Sequence, residues 1–432
     1  MGRRGTVRLL SVLGLLYAAT CGGPYGTENF VGQLGPGLFI LLLFVTPWFF
    51  GVPLALATAE LSARNPVEGG YYRWTRQYLG DFWGTQIGVW SLVSTLLDNA
   101  LYPVLFAKAL AHVFPGLTAL HQGLLAVAFI GALTWVNYRG IRLAGATAVA
   151  LNLFLVLPLL WLIAAAATRV AFNPLLPFVA SGVDPGAAFG TGLALTMWLY
   201  SGYSEVSTVA AEVERPRRNI PVALALVTPL VILSYALPTI ASLASVGGWS
   251  TWTSGQFTSI GEQLGGRTLG SWLFFGSVTS QAVVFLSYVL WSSRVTWAMA
   301  ADRSLPGYFA RLHPRHGTPH RVLVFSAVGY AVLAALPFED VLVADMWLDA
   351  GYTLLVHACL LRLRHAEGEP SDGFRVPGGR LGVWVNSLVP AATWLTLVVT
   401  TARQHFLLGS AAVATGPLFY LVTRTLRARR RG

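Results

Sequence analysis

The sequence predicts an all-α protein that crosses a membrane many times, and three observations carry that reading. Hydrophobic residues make up 55% of the 432 residues and charged ones only 11%, far from the balance of a soluble globular domain. The apolar residues fall into long runs, each about the 20 residues that cover roughly 30 Å of bilayer hydrocarbon as a helix. The basic residues gather in a few of the connections between runs.

Twelve spans follow in order, at residues 9–33, 36–62, 81–112, 119–138, 144–168, 186–211, 221–246, 270–300, 321–337, 339–363, 381–402 and 405–424. With the N-terminus in the cytoplasm, Arg3, Arg4 and Arg8 precede the first span. Inner connections then carry Arg64, Arg73, Arg76, Arg139, Arg142, Arg215, Arg217, Arg218, Arg303, Arg311, Arg315, Arg321, Arg362, Arg364, Arg375 and Arg380. The tail adds Arg424, Arg427, Arg429, Arg430 and Arg431, leaving only Arg169, Arg267 and Arg403 outside and Lys108 and Arg294 within spans. Basic connections stay inside, so this distribution predicts an even number of spans and two cytoplasmic termini in a multi-pass plasma or inner membrane protein. It accounts for the net charge of +11 without a nucleic-acid partner.

The connections are short. The longer inner ones are 63–80, 302–320 and 364–380, the last of which, "RHAEGEPSDGFRVPGGR", mixes Gly, Pro and charge like a hinge or linker. An outer one, "GGWSTWTSGQFTSIGEQLGGR", alternates aromatics with small polar residues as an interfacial lid would. None leaves room for a soluble domain, so residues 1–432 are expected to form one transmembrane unit. The opening "MGRRGTVRLLSVLGLLYAATC" has the basic start, apolar run and cysteine of a secretory signal. Ala18-Ala19-Thr20 is a poor approach to a cleavage site, however, and the later spans demand insertion anyway, so the segment reads as half a helix. Cys21 and Cys359, both in predicted spans, make neither a disulfide framework nor a metal site.

Two spans are interrupted, the first at Gly22-Gly23-Pro24-Tyr25-Gly26 and the sixth at Ser201-Gly202-Tyr203-Ser204. Glycine lets the backbone leave helical geometry and proline removes a donor, so both segments free backbone groups that lipid cannot satisfy. Such backbone is tolerated against a cavity. The breaks open the first members of two successive sets of five spans, 1–168 and 186–363, with 381–424 as two peripheral helices. Broken helices at corresponding positions of two halves point to a transporter binding site built on inverted repeats. The breaks also read alike, since Tyr25-Gly26-Thr27-Glu28 and Tyr203-Ser204-Glu205 each put a carboxylate just past a tyrosine.

A carboxylate at bilayer depth costs roughly 2.5–3.5 kcal/mol, so each one needs a partner. Glu28, Asp98 and Glu205 fall nearest mid-depth, and Asp345 and Asp349 share one face of span ten. Only Lys108 and Arg294 oppose them. Lys108, near the outer end of span three, is expected to snorkel to the interface. Arg294 is placed either to reach the inner interface or to pair with an acid. The missing cation is then the substrate, a proton, or both. Capping or pairing is the alternative role for any single acid, and packing the alternative for Tyr25 and Tyr203. Glu60 reads as a loop anchor, and Glu212 and Glu214 in "AAEVERPRRNIP" as partners of the neighbouring arginines. No His-Glu-x-x-His, Gly-x-Ser-x-Gly or paired metal-ligand pattern lies in a span, and the eight histidines are scattered, mostly at span ends. No catalytic residue, metal or cofactor is expected, and the chain does not read as an enzyme.

The segments "GGPYGTE", "VPLALATAELSARNPVEGGYYRW", "DNALYPVLF", "VNYRGIRLAG", "SEVSTVAAEVERPRRNIPVAL" and "AADRSLPGYFARLHPRHGTPHRVLVFSA" together resemble the amino acid, polyamine and organocation superfamily, which has the LeuT-type fold. They are most similar to plant-type polyamine:proton symporters and their bacterial relatives. The resemblance covers nearly the whole chain and implies a ten-helix core of two inverted five-helix repeats, two peripheral helices, and substrate bound between broken helices one and six. Amino-acid carriers of the superfamily often have a Gly-Ser/Thr-Gly turn in helix one, where this chain has Pro24-Tyr25. Some proton-coupled members carry a lysine in helix five, where this chain offers Asn152. The plant carriers have an aspartate where Ser204 stands, and acids in helix eight where Leu290 and Arg294 stand.

The reading that follows is uptake of a small organic cation, a diamine or polyamine, by proton-coupled symport with alternating access. Glu28, Asp98 and Glu205 would supply negative charge and carry the proton. Tyr25, Tyr203 and Trp198 would offer aromatic faces, and Gly22, Gly23, Gly26, Ser201, Gly202 and Ser204 would complete the site. The alternative is a proton-coupled amino-acid carrier with Arg294 or the helix-one amides on the carboxylate. A third reading is a membrane sensor that moves nothing. The expected partners are the amine or amino-acid substrate, protons and membrane lipid.

Overall fold

A segment in lipid has to satisfy its own backbone, and the helix does this within one segment. The helices, in chain order, are α1 (Leu9–Thr20), α2 (Glu28–Leu34), α3 (Pro36–Phe49), α4 (Gly51–Arg64), α5 (Gly70–Leu79), α6 (Asp81–Val113), α7 (Ala119–Arg139) and α8 (Ile141–Ala167). After them come α9 (Pro185–Leu199), α10 (Pro216–Ser245), α11 (Gln256–Ala301), α12 (His320–Leu333), α13 (Phe338–Glu367), α14 (Gly379–Thr400) and α15 (Arg403–Arg429). Short 3-10 helices cover Glu205–Glu212, Trp249–Thr251 and Gly307–Ala310. This is a computed structural model that describes residues 7–114, 116–335, 338–368, 372–400 and 403–429. Arg3, Arg4, Arg430 and Arg431 lie outside the described residues, as do the side chains of His112, Arg142, Arg403, His405, Arg427 and Arg429.

Among the described residues, eight helical stretches are long and apolar enough to cross a membrane: 36–64, 81–111, 119–139, 143–167, 216–245, 256–301, 379–400 and 406–425. They fall on predicted spans two to five, seven, eight, eleven and twelve. The other four are interrupted, short or polar. Span one is divided into α1 and α2, and span six into α9 and a 3-10 helix. Span nine supplies the 14-residue α12, and span ten is α13, whose acids and histidine dilute its apolar character. Large apolar side chains along α7, α12 and α14, such as Leu124, Trp135, Val328, Val332, Leu388 and Val399, point outward as lipid-facing residues do.

The structure departs from the sequence reading in four places. Span two is not continuous: Phe50 (φ −130°, ψ −64°) separates α3 from α4. The bend receives span six, because a Cβ on Gly51 would sit 2.9 Å from the Tyr203 ring and 3.1 Å from the Tyr200 carbonyl oxygen. Second, the outer connection before span eight is largely helical, with α11 starting at Gln256 and turning at Gly266 (φ 72°) before it enters the bundle. Third, Glu212 pairs with Arg294 of α11 at 3.3 Å, not with its neighbouring arginines. Fourth, Glu214 pairs loosely with Arg8 at 4.0 Å. Both acids follow the chain back toward α1 and α11, where Val7 bridges Val213.

Contacts join the connections into two groups at opposite ends of the bundle, named inner and outer after the sequence expectation. On the inner side Arg73 and Arg76 reach Asp302 at 3.4 and 3.5 Å. Glu60 takes Arg364 at 2.6 Å and the amide of Val376 at 2.7 Å, which fastens the 364–380 linker to α4. On the outer side Arg169 donates to the Gln263 carbonyl at 2.8 Å, and the amides of Gly37 and Leu38 donate to Pro177 and Phe178.

Candidate functional site

The first break runs from Cys21 to Thr27. Gly23 and Gly26 adopt φ of 76° and 87°, left-handed geometry that only glycine enters cheaply. The backbone groups it frees are met locally. Thr27 Oγ1 donates to the Pro24 carbonyl at 2.7 Å, Gly23 N–H to Cys21 Sγ at 3.3 Å, and the Ser280 hydroxyl to the Gly22 carbonyl. Tyr25 OH donates across to the Leu155 carbonyl in α8 at 3.2 Å.

The second break runs from Tyr200 to Ser204. Gly202 has φ 85°, and a Cβ there would lie 2.7 Å from the Ala19 carbonyl oxygen and 2.8 Å from Tyr288 OH. The second break therefore meets the backbone of α1 two residues before the first break begins. Ser201 Oγ folds back on the Trp198 carbonyl at 2.9 Å, and Tyr200 OH reaches the Leu43 carbonyl at 2.6 Å.

Between the breaks lies a cavity of about 50 Å³, lined by Ala19 to Gly23 and Tyr25 to Thr27 of span one, Tyr102 of α6, Trp198 of α9, Tyr235 of α10, and Ser280, Gln281 and Tyr288 of α11. A second cavity of about 410 Å³ adjoins it on the outer side and shares Gly26, Phe30, Leu105 and Gln281 with it. Those four residues form the neck between the two. Lys108 and, from the lid, Ser254 and Gly255 line this second cavity.

Five carboxylates are buried near this site, and their surroundings differ. Glu28 opens α2, where Oε2 accepts the Gly26 amide at 2.7 Å and the lid amides of Gly255 and Phe257 also face it. Helix N-termini stabilise such a charge. Asp98 accepts the Tyr102 hydroxyl at 2.9 Å on both oxygens and Trp198 Nε1 at 3.0 Å. Tyr102 stacks on Trp198 at 6.4 Å and on Tyr288 at 6.3 Å, so a sheet of aromatic rings separates Asp98 from the cavity. Glu205 accepts the Tyr71 hydroxyl at 3.3 and 3.5 Å, and that hydroxyl also meets Ser91 Oγ at 2.6 Å. Asp349 and Asp98 are the like charges that bear on Glu205. Asp345 accepts the Ser94 hydroxyl, and Asp349 Oδ2 has no hydrogen-bond partner. The ion pairs among the described residues involve other acids: Glu60, Asp81, Glu212, Glu214, Asp302 and Glu367.

Of the residues picked from the sequence, Gly22, Gly23, Tyr25, Gly26 and Trp198 line the cavity. Asp98 stands one layer behind it, and Gly202 abuts the wall at Tyr288. Glu28 sits under the lid, while Glu205 lies on the Tyr71 side of the break. Tyr203 packs against Gly51 of span two, and Ser204 Oγ is buried without a partner. Arg294 is held by Glu212 and the Leu290 carbonyl, at 3.3 and 3.1 Å, away from the cavity walls. Asn152 clasps the Gly14 carbonyl at 2.7 Å and so ties α8 to α1. The sequence reading missed Tyr102, Tyr235, Gln281 and Tyr288. Tyr102 was within reach, four residues after Asp98 and hence on the same helix face; the others come from distant spans with no local signal.

The chain matches the family model described as amino acid permease over residues 10–420. It is 32% identical to polyamine transporter RMV1 of Arabidopsis thaliana, over 95% of this chain and 84% of the relative. It is 30% identical to polyamine transporter PUT1 of Oryza sativa subsp. japonica, over 98% and 80%. An uncharacterized transporter of Mycobacterium tuberculosis is 30% identical over 73% of this chain and 70% of its own length. Among solved structures, MhsT in complex with L-phenylalanine superposes with a TM-score of 0.67 at 14% identity, covering 92% of this chain and 99% of the other, which shows the LeuT-type fold. Family and fold agree along the chain's length: it belongs to the amino acid permease family and is a transporter of the amino acid, polyamine and organocation superfamily.

Proposed function

We propose that the protein moves small organic cations, diamines or polyamines, across the plasma or inner membrane by proton-coupled alternating access, with both termini cytoplasmic. The observation that carries this reading is the charge imbalance around the cavity. Asp98, Glu205, Asp345 and Asp349 are all at least 96% buried, and the ion pairs of the described residues go to other acids. An ammonium group would supply the missing charge, and Tyr102, Trp198 and Tyr288 would meet it with ring faces worth about 0.5–2 kcal/mol each. One acid would hold the amine while another takes the proton. The relatives named as polyamine transporters support the same substrate class.

A 50 Å³ cavity has room for about one or two waters, so a diamine requires the rings or the two helix sets to part. The sets 1–168 and 186–363 are the proposed moving units, with the lid and the neck at Phe30, Leu105 and Gln281 as the outer closure. Each positive charge carried inward gains about 2.3 kcal/mol per 100 mV of membrane potential.

Proteoliposome uptake tests the reading. Putrescine and spermidine should enter and should compete with each other, and collapsing the membrane potential should slow them. Entry of neutral amino acids with no entry of amines would overturn it. Lys108 favours the second reading, an amino-acid carrier, because its ammonium would attract a carboxylate in the second cavity. Under that reading, amines without a carboxylate fail to displace substrate. Binding with no movement into sealed vesicles would instead identify a sensor.

A further inference from the structure

Helix α13 carries a polar seam that the site above does not use. Asp345, Asp349, Thr353 and His357 recur every four residues and so share one face, rising about 6 Å per step. All four are buried, Thr353 and His357 to within 1% of full burial. Asp349 Oδ2, Thr353 Oγ1 and both ring nitrogens of His357 have no hydrogen-bond partner. A buried polar group normally has one, and an imidazole with neither nitrogen paired costs stability that packing alone gives no reason to accept. The seam begins in the acidic cluster, where Asp345 takes the Ser94 hydroxyl, and it runs toward Arg364, which pairs with Glu60 at the inner end.

We propose that this face of α13 conducts the coupled proton between the acidic cluster and the inner side, with His357 as the relay. The inference rests on the proton coupling proposed above. A neutral imidazole accepts a proton on one nitrogen and releases another from the opposite nitrogen, so nothing but the proton moves on net. Steps of about 6 Å exceed one hydrogen bond, so each transfer uses a side-chain rotation or an intervening water.

The helices packed on α13 bring titratable groups to both ends of the seam. At its outer end stand Asp98 of α6, Glu205 of the 3-10 helix and Tyr71 of α5, whose ring stacks on Tyr352 at 5.5 Å. Toward the inner end stand Glu60 and Arg64 of α4, paired with Arg364 and Glu367, and Arg380 of α14. Among the described side chains of α15 the titratable groups are Tyr420, whose ring meets Phe82, and Arg424; α9 brings Asp184, at its N-cap. None of these groups hydrogen-bonds to His357. Thr58 and Ser62 of α4, which packs on α13, also hold buried hydroxyls without partners.

The test uses the full chain in proteoliposomes loaded with a pH-sensitive dye, with putrescine as probe. Gradient-driven uptake and its dye signal are compared with putrescine–putrescine exchange, which needs no net proton movement. In His357→Asn, gradient-driven uptake and the dye signal should fall by about 100-fold while exchange stays within about twofold. Thr353→Val, nearly the same shape, should cut the coupled signal several-fold and keep exchange. Coupled uptake at the wild-type level in His357→Asn overturns the relay. If His357→Asn loses exchange as well, Thr353→Val decides, and its unchanged coupling overturns the relay. If the wild-type chain moves no amine, the substrate reading has failed, and the same dye assay run with a neutral amino acid tests the relay alone.

Discussion

The two helix breaks share a sequence pattern, a tyrosine followed closely by a glutamate, and the fold gives the two glutamates opposite surroundings. Glu28 follows its break into the first turn of α2 and is served by the Gly26 amide and the amides of the lid. Glu205 follows its break into a 3-10 helix and receives a single tyrosine hydroxyl, with Asp349 and Asp98 as charged neighbours. A carboxylate surrounded by N–H donors is satisfied by the fold itself. One surrounded by other carboxylates is left for a cation. In the proposed mechanism the first break therefore serves as a closure and the second as the edge of an acidic chamber.

This contrast can be broken at several points. The largest effect is expected from Gly202→Ala, where positive φ and the 2.7 Å approach to the Ala19 carbonyl combine. About 2–5 kcal/mol of destabilisation should appear as a loss of folded yield and a lower melting temperature. Gly26→Ala is its control, with similar φ but nothing within 4 Å of the new methyl, and it should cost only about 1–2 kcal/mol. Equal losses at both positions would mean that the contact between the second break and the end of α1 adds nothing.

Next comes Asp98→Asn, which removes charge from the chamber and should lower amine uptake by about 100-fold with little change in thermal stability, since the amide still accepts from Tyr102 and Trp198. A thermal-shift titration with spermidine should lose its response in this variant, and a retained response would remove Asp98 from the cation site. Tyr102→Phe deletes the hydroxyl that both Asp98 oxygens accept. A loss of about 1.5–3 kcal/mol is expected, divided between melting temperature and amine affinity. The smallest effect is expected from Glu28→Gln, because the carboxamide oxygen can still accept the Gly26 amide. Its amine uptake should stay within about threefold of wild type, and a collapse as deep as that of Asp98→Asn would place both glutamates and both breaks in one electrostatic site.

Much of this organisation was legible in the sequence because it is local. Runs of apolar residues gave the long helices, and Gly-Gly-Pro and Ser-Gly in mid-run gave the breaks. The four-residue step from Asp345 to Asp349 put both acids on one face. What was not legible depends on contacts between distant segments. Arg294 and Glu212 meet only when α11 packs on the 3-10 helix, 82 residues away. That Lys108 shares a cavity wall with the lid and α11 likewise has no local signal. The bend at Phe50 has a local cause, since Pro53 cannot donate to the Phe49 carbonyl four residues earlier, but that Tyr200 and Tyr203 arrive against Gly51 there is not local information. Tyr235 and Tyr288 enter the cavity wall by the same kind of long-range packing.

The backbone contact at Gly202 also limits how the cargo could be changed. The spacing of the breaks is set by main-chain atoms, so volume in the closed state can be gained only from side chains. A redesign for a bulkier amine would begin by shortening Tyr102 or Tyr288, and a library spread over the glycines would mostly yield proteins that do not fold. In chimeras between relatives, the end of α1 should travel with the start of span six and the middle of α11 as a single inherited block.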